Sequence, residues 1–402
     1  MREGLAMRGG QPVRREALPI WPLPLSPEDR GAVAELLGGG SADDIRERVR
    51  RMEHKRAFEA AFAELCGTAH AVAVSTGTTA LDLAIDVLDL AEAGVVVAAD
   101  YGHPSTVRQA ARRHRLRLVD VEPETLCLSP RAVARALDAG DVRCVITTHL
   151  AGDLGAVAAI EEMCARAGVP LIEDASHAHG ARGEGRCAGA FGAFGCFSLH
   201  ETKNLPVGEG GILTVRDEKL FEALWRGHDI GRDPGAAPYD FVALGGNHRL
   251  GEIASLIGRI RLRELDAQCE TRMAAATRLR ALAPADGPLH FAAPGPGTTR
   301  HGYHFVPARY RPEHCGNLSR KRFILAMCAE GIPCNPGWPS RLSDIPAIRA
   351  HAEPADTPVA ASALAETVWF DQRLLLVEGG PEQILQAAAK IQAHSSQRAR
   401  AS

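Results

Sequence analysis

Three short stretches hold side chains whose types and spacing suit chemistry. In VSTGTTALDLAI (74–85), Ser, Thr and Gly stand immediately before an amphipathic helical pattern. A helix N-terminus offers unpaired N–H groups and the positive end of the helix dipole, which suits a phosphate. Gly77 permits close backbone approach, and Thr78 and Thr79 add hydroxyl donors. The same residues also make a plain N-cap. In VPLIEDASHAHGA (169–181), an apolar strand ends in two adjacent carboxylates, Glu173 and Asp174. Side chains alternate across a strand, so one acid can face a ligand while the other points away. His177 and His179 follow at once, but no matching Cys/His/Glu set appears elsewhere, so no metal site is expected. In FSLHETKNLPVGEGG (197–211), a strand end delivers Ser198 and then, through a tight turn, Lys203. Gly208, Gly210 and Gly211 follow and let the backbone approach a flat ligand. The chain has only five lysines: Lys55, Lys203, Lys219, Lys321 and Lys390. That scarcity narrows the choice of a reactive amine.

The elements that must position these residues alternate. Helical patterns near 78–91, 104–114, 130–139 and 156–168 are separated by β-rich runs at 95–98, 116–121, 143–149 and 169–174. This βα alternation predicts a mostly parallel sheet with helices on both faces. Ligands of such sheets bind at the carboxyl ends of the strands. Helical patterns at 27–38 and 45–66 precede the alternation, and a long one begins near Arg249 and ends about Leu282. After the Pro/Gly-rich stretch 284–297 come a strand (301–309), a helix (318–330) and a terminal helix (381–393). The first 25 or so residues, rich in Gly, Arg and Pro and carrying Trp21, read as an extended arm lying on something else. The expected division is an arm at 1–25, a large domain at 26–255 and a smaller C-terminal α/β domain at 256–402.

Composition excludes several classes. The 402 residues are 46% hydrophobic and 24% charged, ordinary for a soluble globular protein. A net charge of −3 without long blocks of one sign argues against nucleic acid as a partner. No apolar run approaches the ~20 residues that span a bilayer. The first residues lack an apolar h-region, so no secretory signal is expected. Ten cysteines without a C-x-x-C pair read as reduced thiols, consistent with a cytoplasmic protein.

A phosphate cup, a strand-end carboxylate and a loop lysine together meet the needs of pyridoxal phosphate. That cofactor requires a phosphate anchor, an acid for its pyridinium nitrogen and a Schiff-base lysine. The stretch IEDASHAHGA…GRCAGAFGAFGCFSLHETKNLPVGEGG resembles the DegT/DnrJ/EryC1/StrS aminotransferases. These are fold type I enzymes that act with pyridoxal 5'-phosphate on keto-sugars and keto-cyclitols. The resemblance extends from the GGQPVR arm to the C-terminal VWFDQRLLL segment. It implies a large domain with a mixed, mostly parallel sheet flanked by helices and a smaller C-terminal α/β domain. It implies Lys203 as the Schiff-base lysine and Asp174 as the pyridinium partner, with His177 beside the cofactor's phenolic oxygen. Gly77, Thr78, Thr79 and Ser198 would hold the phosphate. GGNHRLGEIAS (245–255) resembles the family's G-x-N-x-R-x-x-E stretch, so Asn247 would reach the phosphate of a neighbouring subunit in a homodimer. The family's ring-stacking aromatic falls in AADYGHPST (98–106), where His103 is the choice and Tyr101 the alternative. Glu173 is expected to turn away from the cofactor, so that Glu173→Gln is milder than Asp174→Asn.

The arm and the VWFDQRLLL ending are similar to a branch of cyclitol aminotransferases and aminohydroxybenzoate synthases. The implied reaction is amino transfer from an amino acid, glutamine or glutamate, to a cyclic ketone. The alternatives are a dehydratase or lyase of the aminohydroxybenzoate type and a non-catalytic pyridoxal-phosphate-binding partner protein. Dehydratase relatives that use pyridoxamine phosphate carry His in place of the lysine, and Lys203 argues against that kind. His228, Arg232, His304, Trp338 and Arg341 are polar or aromatic candidates for a substrate pocket.

Overall fold

The computed structural model describes residues 4–38, 43–44, 47, 51–91, 94–237 and 239–401, with side chains to residue 396. Its strands in chain order are β1 (His70–Val74), β2 (Val95–Ala99), β3 (Arg115–Val119), β4 (Val142–Thr148), β5 (Leu171–Asp174), β6 (Arg182–Gly183) and β7 (Arg186–Cys187). There follow β8 (Phe194–Ser198), β9 (Gly211–Val215), β10 (Leu289–His290), β11 (Thr298–Arg300), β12 (Phe305–Tyr310), β13 (Cys334–Asn335) and β14 (Thr367–Asp371). A seven-stranded sheet runs β1-β9-β8-β5-β4-β2-β3. The pairs among β8, β5, β4, β2 and β3 are parallel, and β9 is antiparallel to both its neighbours. The sheet is thus mixed and mostly parallel, as expected.

The sequence of β2, VVVAA, is buried throughout, which is how a strand covered on both faces reads. Alternation divides it between two cores. Val95, Val97 and Ala99 pack with helices 53–66, 130–137 and 157–167, while Val96 and Ala98 pack with helices 77–87, 105–113 and 218–228. A second, antiparallel sheet has the order β10-β12-β14-β13 and shares a third core with helices 320–329 and 380–401. The expected strand 301–309 begins only at Phe305. Tyr303 has φ 45°, and the N–H groups of Gly302 and His304 are taken by the carbonyls of Gly152 and Ala151.

The helix Glu252–Leu282 has 31 residues and serves both halves. Near its start Gly258 lies against the Phe58 ring, where a Cβ would stand 2.8 Å away. Near its end Ala276 and Leu279 join the third core. The expected division after residue 255 therefore falls inside a continuous helix. The arm packs on the small sheet's side. Leu5 enters the third core, and the Glu330 carboxylate accepts from the N–H groups of Ala6 (2.8 Å) and Val13 (3.1 Å).

β5 carries the two acids on opposite faces, as alternation requires. Glu173 turns away from the cleft and is fully buried. It accepts from His149 Nε2 at 2.8 Å and from the N–H groups of Gly189 (2.8 Å), Phe191 (2.7 Å) and Gly192 (2.7 Å). Burial alone would raise its pKa, but the His149 contact and the glycine N–H groups hold it below the usual carboxylate range. Glu173 faces away from the cleft as expected, yet Glu173→Gln would disturb this network, because the amide would turn an NH2 group toward donors. That variant is expected to lose about 3 kcal/mol or more of unfolding free energy, measured by urea titration near neutral pH. The native carboxylate's contribution is present above its unfolded pKa and fades as pH falls through the depressed folded value. The stability gap between the two proteins should therefore narrow in acid.

Candidate active site

The carboxyl ends of β1, β2, β4, β5 and β8 converge on a cavity of about 350 Å3. Thr76, Gly77 and Thr78 line it after β1, His103 and Thr106 after β2, Thr148 at the end of β4, Asp174 and His177 at β5, and Ser198 and Lys203 at β8. The helix 77–87 opens on this cavity. Thr76 is its N-cap and accepts from Thr79 N at 3.0 Å. The Thr79 hydroxyl lies 2.9 Å from Thr76 Oγ1 and 3.2 Å from Ser75 Oγ. Thr79 thus closes the cap and does not line the cavity; Thr76, which the sequence reading passed over, does. Gly77 must be glycine, since a Cβ there would stand 2.6 Å from the Ser198 Cβ. Gly211 serves the same approach from the other side, where a Cβ would stand 2.3 Å from the Thr76 carbonyl oxygen. That glycine seats β9 against the cup rather than against a ligand.

Asp174 accepts from Thr106 Oγ1 at 2.6 Å and from Ser176 N at 3.2 Å, which fixes its carboxylate within the cavity. Burial lowers the Lys203 amine to about 8, against the opposing pull of Asp174. The other lysines are committed elsewhere. Lys55 is buried against Glu59, Lys390 pairs with Glu330 at 2.7 Å, and Lys219 and Lys321 are exposed. His177 is stacked on His304 at 4.5 Å between centroids, and burial followed by the Lys203 charge holds both well below the usual histidine range. His177 Nδ1 is buried with no partner among the described residues. His179 faces the core against Phe197 instead.

His103 lines the cavity with its ring 5.5 Å from Trp338, and burial lowers its pKa. Tyr101 turns into the core, its hydroxyl 3.2 Å from Thr367 Oγ1. Of the two stacking candidates only His103 reaches the cavity. Asn247 does not line the cavity of its own chain: it is exposed, on a segment whose His248 carbonyl accepts from Ser75 N at 2.7 Å.

A second cavity, of about 710 Å3, adjoins the first and shares His177, Thr202, Lys203 and Trp338 with it. Its remaining wall includes Trp21, His304, Asn335, Trp369, Gln372 and Arg373. His304 and Trp338, two of the five pocket candidates from the sequence, line it. His228 instead lies 3.2 Å from Lys55 Nζ, and Arg232 and Arg341 pair with Asp229 and Asp344. Trp21, Trp369, Gln372 and Arg373 escaped the sequence reading. A lone aromatic in the WP of the arm and the polar residues of VWFDQR were the signals available.

The model of the DegT/DnrJ/EryC1/StrS aminotransferase family matches residues 44–387. The chain belongs to this family. It is 30% identical to a putative L-glutamine:3-amino-2,3-dideoxy-scyllo-inosose aminotransferase of Streptoalloteichus tenebrarius, over 97% of this chain and 98% of the relative. It is 33% identical to the L-glutamine:2-deoxy-scyllo-inosose aminotransferase of Micromonospora echinospora, over 81% and 79%. Among solved structures it matches that of 3-amino-5-hydroxybenzoic acid synthase with TM-score 0.83 and 25% identity, covering 96% of this chain and 100% of that one. The chain is accordingly an aminotransferase that works with pyridoxal phosphate. The residues present fit that group: a glycine-narrowed helix N-terminus for the phosphate, a fixed carboxylate, a dry amine and an unpartnered buried imidazole nitrogen.

An amine lowered by burial is neutral above its pKa, so its reactivity toward an aldehyde rises with pH through that value. Capture of pyridoxal phosphate by the cofactor-free chain should accelerate with pH and level off above about 8. An ordinary lysine would level off near ~10.4. Borohydride fixation and peptide mapping should place the pyridoxyl group on Lys203. A midpoint above ~10, or label on another lysine, would remove the assignment.

Proposed function

We propose that the chain moves an amino group from glutamine or glutamate to a keto-cyclitol or related keto-sugar in secondary-metabolite biosynthesis. The observation that carries this reading is the position of Lys203. Its amine stands where the cup-bearing cavity meets the larger aromatic-walled one. A group held in the first cavity and a ring held in the second would share this one amine.

Pyridoxal phosphate supplies an aldehyde for the amine and a ring that draws electrons from the attached carbon. In this reading Thr76, Gly77, Thr78 and Ser198 hold its phosphate. Asp174, fixed by Thr106, keeps a proton on the ring nitrogen. His177 and His103, which line the same cavity, would contact the cofactor's ring and phenolic oxygen. Lys203 would serve as the base that takes a proton from the donor and then as the acid that returns it. A lysine lowered toward neutrality suits both roles, because its two protonation states are both populated near neutral pH. The ten cysteines, free of disulfides among the described residues, support a reducing, cytoplasmic setting.

A homodimer with shared sites is part of the same reading. Beside Asn247 lie Tyr239, Phe241, Val242 and Leu244, all exposed apolar side chains. Exposed apolar side chains this close together in sequence favour burial against another molecule, and a second copy would bring Asn247 to the partner's cup.

Two experiments test these points. The purified chain, given pyridoxal phosphate, L-glutamine and a scyllo-inosose-type ketone, should yield the amino-cyclitol with 2-oxoglutaramate. Release of a dehydrated aromatic amine instead would favour the aminohydroxybenzoate-type reaction, and binding without turnover the non-catalytic partner. For the dimer, Lys203→Ala and Asn247→Ala chains are mixed. If Asn247 acts across the interface, a mixed dimer has one site with both defects and one intact site, so wild-type cofactor affinity returns. If it acts within its own chain, every site keeps one defect and no recovery follows.

A further inference from the structure

The mechanism above leaves one contact at Lys203 unused. The indole Nε1 of Trp21 donates to the Lys203 carbonyl oxygen at 3.3 Å, across 182 residues of sequence. The same ring forms part of the wall of the larger cavity. We infer that Trp21 is a positioning residue: its N–H fixes the backbone of the lysine turn, and its ring bounds the space taken by the keto substrate. This rests on the proposed reaction for the second role only.

The arm is held closely on both sides of Trp21. Arg373 Nη1 donates to the Pro19 carbonyl at 3.1 Å, and the Arg261 guanidinium donates to the Leu23 carbonyl. Beneath the ring lies Arg272, whose guanidinium carbon is 5.5 Å from the ring centroid. Arg272 is fully buried, and its Nε and Nη1 have no hydrogen-bond partner among the described residues. An aromatic face is a favourable neighbour for such a cation. The indole is thus fixed by backbone contacts before and after it and by a buried cation below.

The lysine turn needs such a hold. Its other ties include Lys203 N to the His200 carbonyl at 2.9 Å, Asn204 Nδ2 to the Gly302 carbonyl at 2.6 Å and Gln372 Nε2 to the Thr202 carbonyl at 3.4 Å. A lysine side chain has four rotatable bonds, so placement of its amine depends on a fixed backbone. Trp21 ties that backbone to the arm, which is itself anchored on Glu330 of the small-sheet side.

Two variants separate the roles. Trp21→Phe keeps a ring and removes the N–H; Trp21→Ala removes both. Hydrogen exchange is read on the cofactor-free chain for the amides of segment 199–206. Both variants should exchange about threefold to tenfold faster there, the range expected for one hydrogen bond. In the loaded enzyme, Trp21→Phe should leave the KM for the ketone within about twofold of wild type. Trp21→Ala should raise that KM by about tenfold or more, with the KM for the amino donor little changed. Unchanged exchange in 199–206 for both variants would overturn the positioning role. Equal ketone KM values for the two variants, or a change in melting temperature alone, would overturn the wall role. The exchange readout needs no substrate, so a wild-type chain that ignores cyclic ketones would sink the proposed reaction and leave the positioning test standing.

Discussion

An ionised carboxylate in a dry interior must be surrounded by donors, and at Glu173 this requirement shapes the whole middle of the chain. Three of its donors are backbone N–H groups of residues 189–192, so that loop must fold back over the end of β5. The loop can do so only because it is built on glycine. A Cβ at Gly189 would stand 2.6 Å from the Phe197 ring, at Gly192 2.4 Å from the Leu171 carbonyl, and at Gly195 2.2 Å from the Gly189 Cα. The periodic glycines of AGAFGAFG are therefore packing requirements of a buried charge. Their consequence is that β8 enters the sheet beside β5 in a fixed register, with Gly195 opposite Glu173 and Cys196 opposite Asp174. Ser198 and Lys203 follow from that register.

The same strand alternation gives the other face its chemistry. Asp174 sits one residue on from the structural acid and on the cleft side, where Thr106 orients it. Desolvation here acts in one direction on three cationic groups, favouring the neutral form of each. It leaves the Lys203 amine partly neutral and so nucleophilic, and it keeps the nearby imidazoles of His177 and His304 uncharged. Neutral rings stacked beside a cation repel it less than imidazolium would. The aromatic wall that continues through Trp338, Trp369 and Phe305 extends this dry surface into the larger cavity.

The parts of the chain that complete the second cavity lie far apart in sequence. The arm brings Trp21, the segment after β13 brings Trp338, and the turn after β14 brings Gln372 and Arg373. The continuous helix 252–282 links the layers that carry these pieces, touching Phe58 at one end and the small-sheet core at the other. A division of the chain at residue 255 would cut that helix. The cavity belongs to the joined structure and to neither half alone.

Much of this was legible in the residues themselves. Runs such as VVVA and VPLIED announce buried parallel strands because a strand covered on both faces needs no polar residue. The IEDASHAHGA and LHETKNLPVGEGG stretches announce Asp174 and Lys203 because each chemistry-bearing residue follows a strand end. Local sequence also pointed to His177, Gly77, Thr78 and Ser198, which line the cavity. It did not separate Thr76 from Thr79, since both are small hydroxyl residues and only the folded cavity shows which one lines it. It did not reveal how many donors Glu173 gathers, since most of them are backbone groups brought in by the fold. His103 was already the choice from the sequence, and the fold adds that the Tyr101 hydroxyl turns away toward Thr367, 266 residues on. The wall residues Trp21, Trp369, Gln372 and Arg373 were decided by tertiary contact. Hydrogen bonds and ring contacts across hundreds of residues leave no periodicity for the sequence to display.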